Sequence, residues 1–297
     1  MLASPEFPAL DCDRDSLPAL QQHQVRVAGE AGMPLMGMLR ADTLAAEVPV
    51  ALVFNGVSHA VMMATPQDLA AFAMGFALSE GIIDDASESR GVDVRVVSGA
   101  VAGWPAGLAT LDAVEVHMAI STRSFERLKH QRRQLAGRTG CGVCGIESLA
   151  ALDLQCAPVP TRAWLGQVGL PTVLTAITAL PGQQPLHAQS GAVHAAGWAD
   201  LSGRLIHVME DVGRHNALDK LLGRLAAAGR LNEPGLVVMS SRASHELVRK
   251  CAKVGVAALA TVSAPTSMGV RVAEVTGLRL WGLCRAPRGV LYAAGNC

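Results

Sequence analysis

The chain has 297 residues, half of them hydrophobic, and lysine plus arginine equals aspartate plus glutamate at 25 each. That length suits one large or two ordinary domains, with a core packed by Ala, Val, Leu and Met because aromatic residues make up only 3%. Zero net charge excludes a bulk nucleic-acid binder and leaves only local basic patches, and no uncharged apolar run reaches the roughly 18 residues of a membrane-spanning helix.

Residues 1–20 are Pro-rich and acidic. They read as a disordered tail, without the basic start and apolar run of a signal peptide. The chain is therefore expected in the cytoplasm, with most of its seven cysteines as free thiols. Next, "EVPVALVFNGVSHAVMMAT" (47–65) holds two apolar runs joined by Asn55-Gly56, a hairpin signal. "TPQDLAAFAMGFALSEG" (65–81) predicts a helix capped by Thr65, with Pro66 at its first position, Gly81 after its end, and Leu69, Phe72, Ala73, Phe76 and Ala77 on one face. "VDVRVVSG" and "DAVEVHMAI" predict strands, and "STRSFERLKHQRRQLAG" a basic helix running into a cysteine loop.

Residues 156–191, with several Pro and Gly, read as a poorly ordered connection around one helix. Beyond them the pattern alternates. "VHAAGWA" and "RLIHVME" predict a hairpin about "DLSG". Helices are expected in "RHNALDKLLGRLAAAG", with Leu218, Leu221, Leu222 and Leu225 on one face, in "SHELVRKCAKVGV" and in "TSMGVRVAEVTG". The strands "GLVVMS", "ALATVSA", "LRLWGLC" and "GVLYAAG" lie between and after them. This alternation predicts a sheet covered on both faces. The expected division is a tail over 1–20, a small α+β domain over 21–136, a mobile loop over 137–150 and an α/β domain over 151–297.

The loop "GRTGCGVCGIESL" (137–149) poses the functional question. Cys141 and Cys144 form one C-x-x-C. Structural zinc needs four ligands, commonly from two such pairs, and there is no second C-x-x-C or H-x-x-x-H here. A dithiol redox pair is expected early in a compact fold, not mid-chain on a glycine-rich loop. A sulfur carrier needs reach, which glycines give, and thiolate character. Arg132, Arg133, Arg138 and a following helix start at "GIESLAAL" would all favour a thiolate. Such a thiolate takes the terminal sulfur of a persulfide by the displacement chemistry of thiol–disulfide exchange.

Taken together, "FALSEGII", "GRTGCGVCGIESL", "HAAGW", "EDVGRHNALDKLLG", "SSRAS" and "VSAPTSMGV" resemble the FdhD family, from about Val48 to the last strand. The resemblance implies a sulfur carrier required for formate dehydrogenase activity. Such a protein would accept sulfur from a cysteine desulfurase and pass it to the molybdenum cofactor, a bis-molybdopterin guanine dinucleotide. It implies that Cys141 bears the persulfide and Cys144 is its partner. It implies a fold that is α/β, or α+β overall, in which a small N-terminal α+β domain joins a cytidine-deaminase-like three-layer α/β/α domain. It also implies a homodimer, and a cofactor-binding stretch at Leu283, Cys284, Arg285, Ala286, Pro287 and Arg288. Ser190 stands where a threonine is expected in the family's T-G-x-x-H-A-A stretch.

The remaining polar motifs sit at predicted strand-to-helix junctions, where α/β sheets commonly hold ligands. Asp211 and His215 in "EDVGRHNALDK" and Arg242 in "SSRASHE" are expected to contact the cofactor. Helix capping by Asp211 and i,i+4 pairing are the structural alternative there. Arg285 and Arg288 suit bidentate contacts to the cofactor's phosphates or its guanine end, for which GDP is a mimic. His194 reads as a buried histidine without a catalytic partner. A deaminase-like zinc site is not expected, because the H-x-E and P-C-x-x-C signature is absent, and no zinc is expected at the single C-x-x-C.

Overall fold

A computed structural model describes residues 17–29, 37–99, 112–134 and 157–296, with only the backbone of 131–134. Two antiparallel strands, β1 (Leu20–Arg26) and β2 (Leu39–Ala45), form a separate ribbon that the sequence pattern did not announce. The predicted hairpin follows as β3 (Val48–Phe54) and β4 (Val57–Ala64), turning at Asn55 and Gly56, both at positive φ. After helix α1 (Leu69–Ser79), strands β5 (Ser89–Val97) and β6 (Ala113–Ile120) complete a four-stranded sheet in the order β4-β3-β6-β5. Period-2 alternation sorts its faces. Val50, Leu52, Phe54, Val116, Met118 and Ile120 are buried in one core with α1. Helix α2 (Thr122–Gln134) then leads out of the described residues toward the cysteine loop.

Two sequence expectations for α1 need correction. Thr65 is not its cap and Pro66 is not its first residue. The helix starts at Leu69, behind Asp68, which takes a left-handed conformation. Its apolar residues also do not form a single stripe, because all eleven residues of α1 are buried. A helix enclosed on every side has no solvent face to mark with polar residues.

The connection over 157–191 is likewise ordered and packed. It contains a 3-10 turn at Ala163–Gln167, α3 (Leu170–Ala179), a second 3-10 turn at Leu180–Gln183 and α4 (Pro185–Ser190). Prolines read as breakers here open helices instead, as Pro171 and Pro185 occupy first-turn positions where a missing N–H costs nothing. Leu165, Val168, Val173, Ala176 and Leu180 are buried in the main core.

That core surrounds a six-stranded sheet. Strands β7 (His194–Ala199), β8 (Leu205–Asp211), β9 (Leu236–Met239), β10 (Ala258–Thr261), β11 (Arg279–Arg285) and β12 (Arg288–Ala293) lie in the order β12-β11-β10-β9-β7-β8. β9, β10 and β11 run parallel, while β7 and β12 run antiparallel to their neighbours. Helices α5 (Arg214–Ala227), α6 (His245–Lys253) and α7 (Ser267–Thr276) connect β8 to β9, β9 to β10 and β10 to β11. Right-handed crossovers running in one direction place all three on one face, and α3 packs on β9 to β12 from the other. Every residue of β9 and β10 is buried, as two covering layers require. The mixed α/β class with helices on both sheet faces is therefore what the chain adopts.

The two sheets are held together by α1 lying against α5, the most extensive helix–helix contact in the described chain. The two backbones almost touch. A Cβ built on Gly75 would stand 1.8 Å from the Asp219 carbonyl oxygen, and one on Gly223 would stand 1.9 Å from the Ala71 carbonyl oxygen. Only residues without a side chain allow this approach. Gly75→Ala is expected to cost at least the roughly 1–3 kcal/mol typical of overpacking. Gly166→Ala, where a Cβ meets nothing within 4 Å, should change stability by less than about 0.5 kcal/mol. Urea unfolding of the two variants checks this, and equal midpoints would contradict the close-packing account.

Candidate functional site

In the six-stranded sheet, the carboxyl ends of β8, β9, β10 and β11 share one edge with the start of β7 and the β11–β12 turn. The loops there are tied to one another through the backbone. Ser240 N donates to Ala195 O (3.0 Å), Thr266 N to Ala243 O (2.9 Å) and Leu283 N to Ser263 O (3.2 Å). This fastening brings together the junctions that the sequence motifs marked separately: 210–215, 240–246, 262–266 and 283–288. Such an edge is where open α/β sheets bind ligands.

The residues singled out at this edge fall into two groups. Arg285, Ala286, Pro287 and Arg288 form the exposed tip of the β11–β12 hairpin, with Arg285 and Arg288 as cross-strand partners. Arg242 is also exposed, at the turn before α6. None of these three arginines forms an ion pair within the described residues. Leu283 is half-buried with φ +52°, a left-handed conformation that a leucine keeps only when its surroundings impose it. Cys284, by contrast, is fully buried, and burial pushes its thiol up to about 11. It anchors the hairpin from beneath and offers no reactive surface. Cys251 is similar, raised to about 12 by its enclosure.

Asp211 also departs from the expectation of a cofactor contact. Its side chain is fully enclosed and both of its oxygens are engaged. Oδ1 accepts from Gly213 N (2.7 Å) and Asn216 Nδ2 (2.9 Å). Oδ2 accepts from Thr65 N (3.0 Å) and lies 2.7 Å from Lys220 Nζ, itself fully buried. Lys220 also donates to the carbonyls of Thr65 (3.0 Å) and Glu210 (3.3 Å), and Asn216 to that of Met63 (2.8 Å). The acidic and basic letters of "EDVGRHNALDK" thus clamp the end of β4 onto the start of α5.

A second buried network lies further along α5. Lys250 Nζ contacts Glu80 Oε1 (2.7 Å) and Asp219 Oδ2 (2.9 Å) and donates to Ser79 Oγ (2.9 Å), which donates to Asp219 Oδ1 (2.7 Å). Burial alone would raise the Glu80 carboxyl, but Lys250 and Arg249 overcome it and hold it at about 2. Burial would lower Lys250, and its two carboxylate partners instead keep its pKa above the ordinary lysine value.

The solvent-facing part of the edge holds imidazoles. His215 is half-buried with Nε2 2.7 Å from Glu246, and the contact keeps that carboxyl below its usual range. His194 opens β7 on the same edge and is half-buried rather than enclosed. Sequence reasoning read it as a buried histidine without a partner, because its neighbours come from α4, α5 and the turn before α6. These are 7 to 46 positions away and carry no local signal. Among the described residues no group of three or more His, Cys, Asp or Glu side chains is placed to hold a metal ion. No helix there is long and apolar enough to cross a membrane. Cys141 and Cys144, with Arg138 and the expected mobile loop, lie outside the described residues, as do residues 1–16 of the expected tail.

Comparison with known proteins matches residues 45–296 to the FdhD/NarQ family. The chain belongs to that family. The sulfur carrier protein FdhD of Burkholderia mallei is 50% identical over 244 residues, which is 82% of this chain and 86% of that protein. The protein of the same name from Chromobacterium violaceum is 48% identical over 85% of this chain and 89% of its own length. A crystal structure from Desulfotalea psychrophila, assigned as a formate dehydrogenase accessory protein, superposes with a TM-score of 0.63. It covers 93% of this chain and 97% of its own at 23% identity, a likeness of fold.

The clamp around Asp211 has a measurable signature. Lys220→Met leaves a buried carboxylate without its cation and is expected to cost about 3–5 kcal/mol. Asp211→Asn should cost a similar amount, and the double variant less than the sum of the two. Denaturant unfolding of the three proteins measures the coupling, and strictly additive losses would show that the pair does not act as one unit.

Proposed function

We propose that this chain is a sulfur carrier in the maturation of formate dehydrogenase. The observation that carries the reading is family membership, with about 50% identity over more than four fifths of the chain to proteins named as sulfur carriers. In this reading the Cys141 thiolate attacks the terminal sulfur of a cysteine desulfurase persulfide. A new S–S bond forms on Cys141, the donor's S–S bond breaks, and the donor cysteine leaves as a thiolate. The sulfur then passes to bis-molybdopterin guanine dinucleotide, which is the acceptor substrate, before that cofactor enters formate dehydrogenase. Cys144 is a second thiol placed to assist release or to form a disulfide. The carrier works in the cytoplasm as a homodimer.

Support for the acceptor half comes from electrostatics. The dinucleotide carries several phosphates, and a chain of zero net charge must meet them with local cations. Arg242, Arg285 and Arg288 are exposed at the ligand-binding edge and have no competing carboxylate among the described residues. Arginine's planar fork suits phosphate oxygens.

Two outcomes test the halves separately. After incubation with a desulfurase and cysteine, intact mass should show one added sulfur on the wild type and on Cys144→Ala, and none on Cys141→Ala. Normal loading and full formate dehydrogenase activity with Cys141→Ala would assign the carrying thiol elsewhere. Replacing both Arg285 and Arg288 with alanine should weaken GDP binding by about 2–5 kcal/mol, the scale of two charge-assisted hydrogen bonds. Unchanged calorimetric affinity would remove the hairpin tip from the site.

A further inference from the structure

His194 occupies the middle of the edge just described, between the β8–α5 and β9–α6 junctions. Its Nδ1 lies 3.4 Å from Ser240 Oγ, and that oxygen accepts from Ala195 N (2.9 Å). The Ser240 hydroxyl proton is therefore free to point at Nδ1, and its lone pair can serve Nδ1–H if the ring gains a proton. Nε2 has no partner among the described residues, and the ring is half-buried. The surroundings are mostly cationic or basic. From α4 comes His187, whose Nδ1 is held 2.9 Å from Val193 O. From α5 come Arg214 and His215, and at one remove, from the first residues of α6, His245 and Glu246 lie beside His215 and Arg214. Glu210 is spent on the backbone N–H groups of Leu186 and His187, and Asp211, opposite His194 across the strand pair, is spent on Lys220. Ser244, which precedes α6, has a buried hydroxyl without a partner.

The electrostatic consequence is specific. Burial lowers the pKa of His194, Arg214, His187 and His215 lower it further, and Asp211 opposes them only in part. The ring is therefore biased toward its neutral form beside the Arg214 cation. An anion arriving there reverses the balance, because it supplies the charge that a second ring proton lacks.

We propose that His194, with Arg214 and Ser240, forms a proton-coupled subsite for a pyrophosphate diester, the group that links each half of a dinucleotide cofactor. This inference rests on the functional reading above. It adds that binding the anion draws a proton onto His194, so that its protonated ring donates from Nε2 to a phosphate oxygen while Ser240 accepts from Nδ1. The sign follows from linkage. The pKa of the ring is higher in the complex than in the free protein, so the complex tightens as pH falls between the bound and free values.

The probe is diguanosine pyrophosphate, whose diester phosphates do not titrate between pH 5 and 8. Calorimetry at pH 7 in two buffers of different ionisation enthalpy should report net proton uptake on binding to the full-length wild type. Affinity should rise about three- to tenfold from pH 7.5 to 6.5, bounded by the uptake of one proton. His194→Gln, checked for folding by circular dichroism, should bind without uptake and with a flat pH profile. Wild-type binding with no uptake and no pH dependence overturns the subsite and leaves the carrier reading standing. Uptake that persists in His194→Gln overturns the assignment to His194. No binding by the wild type overturns the subsite and the cofactor half of the carrier reading together, while persulfide loading on Cys141 stays intact.

Discussion

Helices α1 and α5 cross at backbone contact distance, and the placement of the four-stranded sheet against the six-stranded one follows from that crossing. Gly75 and Gly223 leave no side chains between them. The small sheet and the large sheet are thereby fixed across a shared helical layer. The close approach also brings polar groups from the segment before α1 and from its C-terminal end against β8, α5 and α6. Thr65 meets Asp211 and Lys220, and Ser79 and Glu80 meet Asp219 and Lys250. Buried ion pairs of this sort add little net stability, because desolvation consumes most of the attraction. Their effect here is on alignment. A shift of α1 along α5 would part Glu80 from Lys250 and Arg249 and withdraw Ser79 from the Asp219–Lys250 pair, leaving that buried network incompletely satisfied.

The same clamp shapes the carboxyl edge of the large sheet. Asp211 and Asn216 fix the turn into α5, so Arg214 and His215 emerge at a set position beside His194. Backbone bonds between successive loops then place Arg242, Ser263 and the β11–β12 tip in line along the carboxyl ends of the strands. Charges divide by depth. Those under the edge are paired and dry, and those on it include Arg242, Arg285 and Arg288, which form no ion pair among the described residues. A surface of that kind attracts an anionic ligand without making the protein basic overall.

Much of this was legible in the sequence. Asn55-Gly56 announced the first hairpin, and the Leu218–Leu225 spacing announced α5, whose four leucines are fully buried. The alternation of strands and helices after residue 193 announced the large sheet. What could not be read has physical causes. α1 is buried on all sides, so its periodicity pointed to a stripe that does not exist. Pro171 and Pro185 start helices, yet proline reads equally as a break. The β1–β2 ribbon is mostly exposed and carries no apolar alternation. Arg242, Arg285 and Arg288 are exposed at the carboxyl edge. Asp211 and Cys284 belong to the same set of motifs but point inward, because a motif records which residues are needed and not whether each serves the ligand or the frame.

The proposed binding of the dinucleotide acceptor along the carboxyl edge of the six-stranded sheet can be read by hydrogen–deuterium exchange with and without GDP. Protection on binding is expected to concentrate in 211–215, 240–246, 262–266 and 283–290, with little change in the four-stranded sheet. Protection centred instead on the groove lined by Asn55, Gly91, Asp93 and His117, at the far end of the small sheet, would contradict it.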